Sequence, residues 1–151
     1  MHDRRFKQTC RGRGHGALEE GGLIDTRRKI LDAVQALALA RQWRGEGVRP
    51  IVVTGCFDLL HAAHARRLAA ISKPGRPLLV IVSEPRDPVL PARARAELVA
   101  ALRMVDYILL AEFLPLADGL LTEMQAEKLE AVDDGQLTGE LIADVRRRHT
   151  G

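Results

Sequence analysis

Cysteines, aromatic residues and long apolar runs are all scarce in this sequence, and each scarcity removes a class of protein. The two cysteines, Cys10 and Cys56, neither frame a disulfide scaffold nor give zinc-ligand spacing, so both read as unbridged thiols. Aromatics make up 3% of the chain, too few for a base-stacking surface, which disfavours nucleic acid as a partner. The net charge of +3 and the isoelectric point near 9.2 do not reverse that reading. The positive excess gathers at the two ends, in "RRFKQTCRGRGHG" and "VRRRHTG", where the plain interpretation is a solvated tail and where a small anionic ligand such as a nucleotide is equally well served. No apolar run approaches the roughly eighteen residues of a membrane helix, so no membrane partner is expected. The charged opening "MHDRRFKQTCRGRG" lacks the apolar region of a secretory signal, and a cytoplasmic location is the expectation.

What the chain does have is a globular balance, 46% hydrophobic against 28% charged residues over 151 positions, enough for one domain with a single core. Residues 1–24 are rich in Gly, Arg and Glu without periodicity and read as a flexible basic extension, which leaves residues 25–151 as a single domain. From Asp25 a helix is expected, capped by Asp25 or Thr26 and carrying an apolar stripe of Ile30, Leu31, Val34, Leu37 and Leu39, ended by "RGEGVRP". "PIVVTG" is a short β-branched run entering a glycine turn, the pattern of a buried strand. A helix near His61 through "AHARRLAAIS", a strand at "LLVIVS", a helix at "ARARAELVAALRM" and a strand at "DYILLA" follow. The remainder reads as a helix, a weak strand around "KLEAV" and a last helix from about Thr138. Buried strands alternating with amphipathic helices predict an α/β fold, a mainly parallel sheet of about four strands covered on both faces, because parallel neighbours need crossover helices.

The chemistry concentrates in "VVTGCFDLLHAAHARRL", residues 52–68, at the carboxyl end of the first of these strands, where open α/β sheets place ligands. Gly55 permits a sharp turn, Cys56 and Phe57 then offer main-chain N–H groups, and the following helix directs its positive end at the same point, a setting suited to phosphate. His61 and His64, three apart in the first turn, share one face and can both donate to phosphoryl oxygens, with little packing expected at His64. Other readings of the same residues stand beside this one. The histidines can be packing residues, Phe57 can be core, and zinc would have only Asp58 as a weak third ligand.

"TGCFDLLHAAH" resembles the G-x-F-D-x-x-H-x-G-H signature of the cytidylyltransferase-like nucleotidyltransferases, most nearly the heptose 1-phosphate adenylyltransferases and glycerol-3-phosphate cytidylyltransferases. "RAELVAALRMVDYILL" is similar to the segment in which that family sets an arginine-headed helix before its third strand, and the likeness covers roughly residues 28–112. The resemblance implies a Rossmann-like three-layer sandwich with strand order 3-2-1-4, numbered from "PIVVTG". It implies ATP or CTP lying over Thr54, Gly55, Cys56 and Phe57, with His61 and His64 as the catalytic pair. Mg²⁺ would be carried in with the nucleotide and no metal site would belong to the chain. A sugar or polyol phosphate would attack the α-phosphorus, and the chain would pair as a homodimer, for which no stripe marks an interface. Such chemistry needs placement and charge neutralisation more than a protein nucleophile. Arg95 matches the family arginine, with a solvated helix charge as the alternative, and Thr138 in "LTGELI" matches a hydroxyl turn, with a simple N-cap as the alternative. The family's glycine before the second histidine is Ala63 here, the loop after the second strand is compressed to "SEPRDPVLPARAR", and a K-G-G-D-Y stretch is missing. A nucleotide-binding but non-catalytic relative is therefore the alternative function.

Overall fold

The computed structural model describes residues 24–128, 132 and 134–149. The expected N-terminal extension therefore lies, Ile24 apart, outside the described residues, as do positions 129–131 of the weak "KLEAV" strand.

A parallel sheet of five strands forms the middle layer: β1 (Ile30–Leu31), β2 (Ile51–Gly55), β3 (Leu78–Val82), β4 (Tyr107–Leu110) and β5 (Glu127–Lys128), in the order β1-β4-β3-β2-β5. Every pairing is parallel. The last four strands are those expected from the sequence, in the order 3-2-1-4 counted from β2. β1, an added two-residue edge, stands where a helix was expected. The central strands are buried on both sides, which is why they read as unbroken aliphatic runs.

Alternate residues face opposite layers. Ile51, Val53, Leu78, Val80 and Val82 join Leu68 of α2 (Ala62–Ile71) and Ala96, Val99 and Ala100 of α3 (Ala92–Ala100) in one core cluster. Leu137 of α5 (Asp134–His149) packs against the same cluster. Val52, Leu79, Ile81 and Leu109 face the other way, onto Ala36, Ala40 and Trp43 of α1 (Ala33–Glu46) and Leu120 of α4 (Leu114–Glu123). The three-layer sandwich follows directly from this period of two.

The start of α1 departs from expectation. Asp25 does accept from the Arg27 N–H at 3.0 Å, but it caps only a 3₁₀ turn, Thr26–Lys29. Ile30 and Leu31 then leave helical geometry to pair with Ile108 and Leu109 of β4. The helix begins after Asp32, which accepts from the Gln35 N–H at 2.8 Å while the Gln35 side chain accepts from the Asp32 N–H at 3.0 Å, a complete capping box. Its end is set by Gly47 at φ +67°, a left-handed C-cap. The buried face is Ala36, Ala40 and Trp43, with spacing of four and three, whereas Val34 is 77% exposed. Small alanines let the helix approach the sheet closely, and the Trp43 ring meets Tyr107 edge-on at 5.3 Å. Trp43→Ala should therefore destabilise the fold by about 3–5 kcal/mol. Val34→Ala should change it by less than about 0.5 kcal/mol. Urea denaturation of the two variants checks this, and the reverse ranking would restore the aliphatic stripe as the packing face.

Candidate active site

The turn leaving β2 is closed off on its acceptor side. Thr54 O accepts from the Val132 N–H at 2.8 Å, Gly55 O from the Ser83 N–H at 2.8 Å, and Cys56 O from Arg95 Nη1 at 2.8 Å. Three successive carbonyls are thus tied to neighbouring segments. Phe57 follows at φ +52°, a left-handed conformation costly for a bulky residue and held here by a fully buried ring. That ring lies 5.7 Å from the imidazole of His64. Cys56 Sγ lies 3.4 Å from Ser83 Oγ, joining the ends of β2 and β3.

The two histidines cap α2. His61 is the extended N-cap residue and His64 is the third residue of the helix. His61 Nδ1 accepts from the Ala63 N–H and His64 Nδ1 accepts from the His61 N–H, each at 3.4 Å, with the rings 4.3 Å apart and nearly perpendicular. The H-x-x-H spacing is thus that of a capping box in which imidazoles stand in for the usual hydroxyl and carboxamide. An imidazole whose Nδ1 accepts carries its proton on Nε2 in the neutral ring, so the cap assigns the same tautomer to both. One expectation changes: His64 is fully buried against Phe57 and His61, so it has packing to lose. Nε2 of His61 is buried as well, although the residue as a whole is only half-buried.

Arg95 is not the solvated helix charge offered as its alternative; its side chain is 0% exposed. Nε donates to Leu90 O at 3.0 Å, Nη1 to Cys56 O and to Ser83 O at 2.7 Å, and Nη2 to Glu84 Oε2 at 2.6 Å. Asp58 stands 3.9 Å from Nε and accepts from the N–H groups of Val89 and Leu90 at 2.8 and 2.9 Å. These two residues fasten the loop between β3 and α3 to the turn after β2. Sequence reasoning considered Asp58 only as a weak metal ligand and passed over Ser83 and Glu84. A signal was present, because Arg95, Ala96, Val99 and Ala100 all lie on the buried face of α3. A guanidinium on that face needs carbonyls and carboxylates around it.

Thr138 is not an N-cap, since α5 starts at Asp134 and places Thr138 inside the helix, half-buried. It follows Leu137, which packs on the cluster containing Phe57 and Leu68. The structure thus gathers Thr54, Gly55, Cys56, Phe57, His61, His64 and Arg95 at the carboxyl end of β2, with Thr138 on the helix beside α2. Among the described residues no three His, Cys, Asp or Glu side chains form a metal-binding group. No described helix is long and apolar enough to cross a membrane.

The family model of cytidylyltransferase-like proteins matches residues 52–138, from the middle of β2 to Thr138. This chain belongs to the cytidylyltransferase-like family. Among its relatives, the bifunctional protein HldE of Proteus mirabilis is 38% identical over 115 residues, 68% of this chain and 22% of that protein. HldE of Methylobacillus flagellatus is 34% identical over 91 residues, 54% of this chain and 19% of that protein. An FAD synthase of Methanosphaerula palustris is 42% identical over 71 residues, 43% of this chain and 46% of that protein. The chain spans about a fifth of the length of the HldE relatives it matches.

Removing the Arg95 guanidinium strands the carbonyls of Cys56, Ser83 and Leu90 together with a partly buried Asp58. Arg95→Ala should cost about 3–5 kcal/mol, the range for breaking a buried ion pair. Arg95→Lys should recover only part of that loss, because an ammonium cannot reproduce the planar fork. Equilibrium denaturation decides, and a loss below about 1 kcal/mol would show that the loops do not depend on this side chain.

Proposed function

We propose that this chain is a nucleotidyltransferase, moving AMP from ATP or CMP from CTP to a sugar or polyol phosphate and releasing pyrophosphate. The observation that carries the reading is the two-histidine cap at the N-terminus of α2, set on the turn after β2. Membership of the family and similarity to proteins named bifunctional HldE and FAD synthase support it.

In this reading the triphosphate lies over Gly55–Phe57. With the carbonyls of Thr54, Gly55 and Cys56 turned to Val132, Ser83 and Arg95, an anion over the turn meets few exposed lone pairs. It meets the positive end of α2 instead. An ionised oxygen of the acceptor phosphate attacks the α-phosphorus, a new P–O bond forms, and the bond from the α-phosphorus to the bridging oxygen breaks. The electron pair leaves with pyrophosphate, so no proton has to move. The Nε2–H groups of His61 and His64 donate to oxygens that gain charge along this path, and the capping box holds both rings in the tautomer that allows it. Because His64 and the Nε2 atom of His61 are buried in this structure, side chains around them have to shift as the nucleotide enters. Mg²⁺ would enter as part of the nucleotide substrate and would supply neutralisation of charge at its phosphates. Arg95 and Asp58 act as positioning residues through the loops they hold.

His61→Asn separates the two duties of the ring. Asparagine can still offer an acceptor where Nδ1 sits, preserving the cap, but has no donor at the Nε2 position. Pyrophosphate release with ATP or CTP and heptose 1-phosphate or glycerol 3-phosphate should fall about 100- to 1,000-fold. Stability should change by less than about 1 kcal/mol. An unchanged rate would return the histidines to a purely structural role. Wild-type protein that binds triphosphate yet turns over no acceptor would favour the non-catalytic relative.

A further inference from the structure

The carboxyl edge of the sheet carries a second feature beside the histidine cap. β2, β3 and β4 end level with one another, Gly55 opposite Val82 and Val82 opposite Leu110. With about 4.8 Å between neighbouring strands, Leu110 stands about 10 Å from Gly55 along that edge. A cavity of about 540 Å³ opens there, lined by Glu84, Ala92, Arg93, Leu110, Ala111 and Glu112. Its wall is tied to the turn after β2: Glu84 holds Arg95 Nη2 at 2.6 Å, and the same guanidinium holds Cys56 O at 2.8 Å.

Charge restricts what this cavity accepts. A triphosphate would face two carboxylates, and a cationic head would face Arg93, whose Nε is held by Glu97 Oε1 at 3.0 Å and whose terminal nitrogens carry the remaining donors. Hydroxyl groups both donate and accept, so they suit the carboxylates and the guanidinium together. The C–H faces of a carbon chain suit Ala92, Leu110 and Ala111. The 10 Å span is about the reach of a phosphate joined to an extended chain of roughly five to seven carbons with C–C bonds near 1.5 Å.

We infer that this cavity receives the hydroxyl-bearing, non-reacting end of the acceptor, with Glu84 and Glu112 accepting hydrogen bonds from its hydroxyls and Arg93 donating to them. The inference rests on the transferase reading and adds the residues that select a polyol. Glu112, on the short turn Ala111–Phe113 after β4, is the specificity-determining group best suited to test, since it is exposed and Glu84 also supports Arg95.

Kinetics of Glu112→Ala and Glu112→Gln with heptose 1-phosphate, glycerol 3-phosphate, ethanolamine phosphate and propyl phosphate test it, alongside ligand-observed NMR of heptose 1-phosphate binding. The alanine variant should lose about 10- to 100-fold in kcat/KM for heptose 1-phosphate, mainly through KM, with the KM for triphosphate within about twofold of wild type. Glutamine, which keeps one acceptor oxygen, should lose less, and propyl phosphate, which has no hydroxyls, should lose nothing in either variant. Equal losses with propyl phosphate, a raised KM for triphosphate, or a preference for ethanolamine phosphate would overturn the inference. Wild-type transfer to sugar phosphates that is indifferent to Glu112 would refute the cavity and keep the transferase reading. Heptose 1-phosphate binding that depends on Glu112, without any turnover, would do the reverse, and absence of both binding and turnover would overturn the two together.

Discussion

One buried guanidinium holds the carboxyl edge of this sheet together. Arg95 projects from the first turn of α3 and gathers the carbonyl of Cys56 after β2, that of Ser83 after β3, and that of Leu90 in the loop between β3 and α3. Each of these segments leaves the ladder at that edge, so its main-chain acceptors need partners that the sheet no longer supplies. A planar fork with five N–H donors meets three of them at once, and the carboxylates of Glu84 and Asp58 offset the burial of its charge. The backbone conformation of the crevice is thus a property of α3 as much as of β2.

The proposed function asks a similar double duty of the histidine pair. A helix N-terminus needs acceptors for its first N–H groups, and a phosphate site needs donors, which are opposite demands on the same few ångströms. Imidazole meets both because its two nitrogens have opposite roles in one neutral ring. Nδ1 serves the helix, and the nitrogen across the ring keeps the hydrogen. Packing and the proposed phosphate contact, set against each other when the sequence is read, draw on different nitrogens of the same ring at His61 and again at His64.

How much of this was legible depended on the distance over which a residue acts. β2, β3 and β4 were plain because a strand covered on both faces tolerates almost nothing but aliphatic residues, and their order followed from the family signature. α1 was misjudged at its start, because Ile30 and Leu31 look like the opening of a helical stripe until β4 is there to pair with them. Its packing face was hidden as well, since Ala36 and Ala40 carry little hydrophobic signal yet allow close approach. The site residues of the turn were legible as a motif, but their bonds were not. Asp58 reaches residues 89 and 90 and Arg95 reaches residue 56, contacts 31, 32 and 39 positions apart that no local pattern announces.

The shortness of β1 bears on how this molecule meets others. An edge strand is a template on which a second chain can build, and its pull grows with the row of amides and carbonyls it offers. β1 pairs over two residues only, against five for β2 with β3. At about 1 kcal/mol net per hydrogen bond, such a stub gives little to a chain adding itself in register. Addition of a second chain in register is thereby discouraged at the β1 border of the sheet.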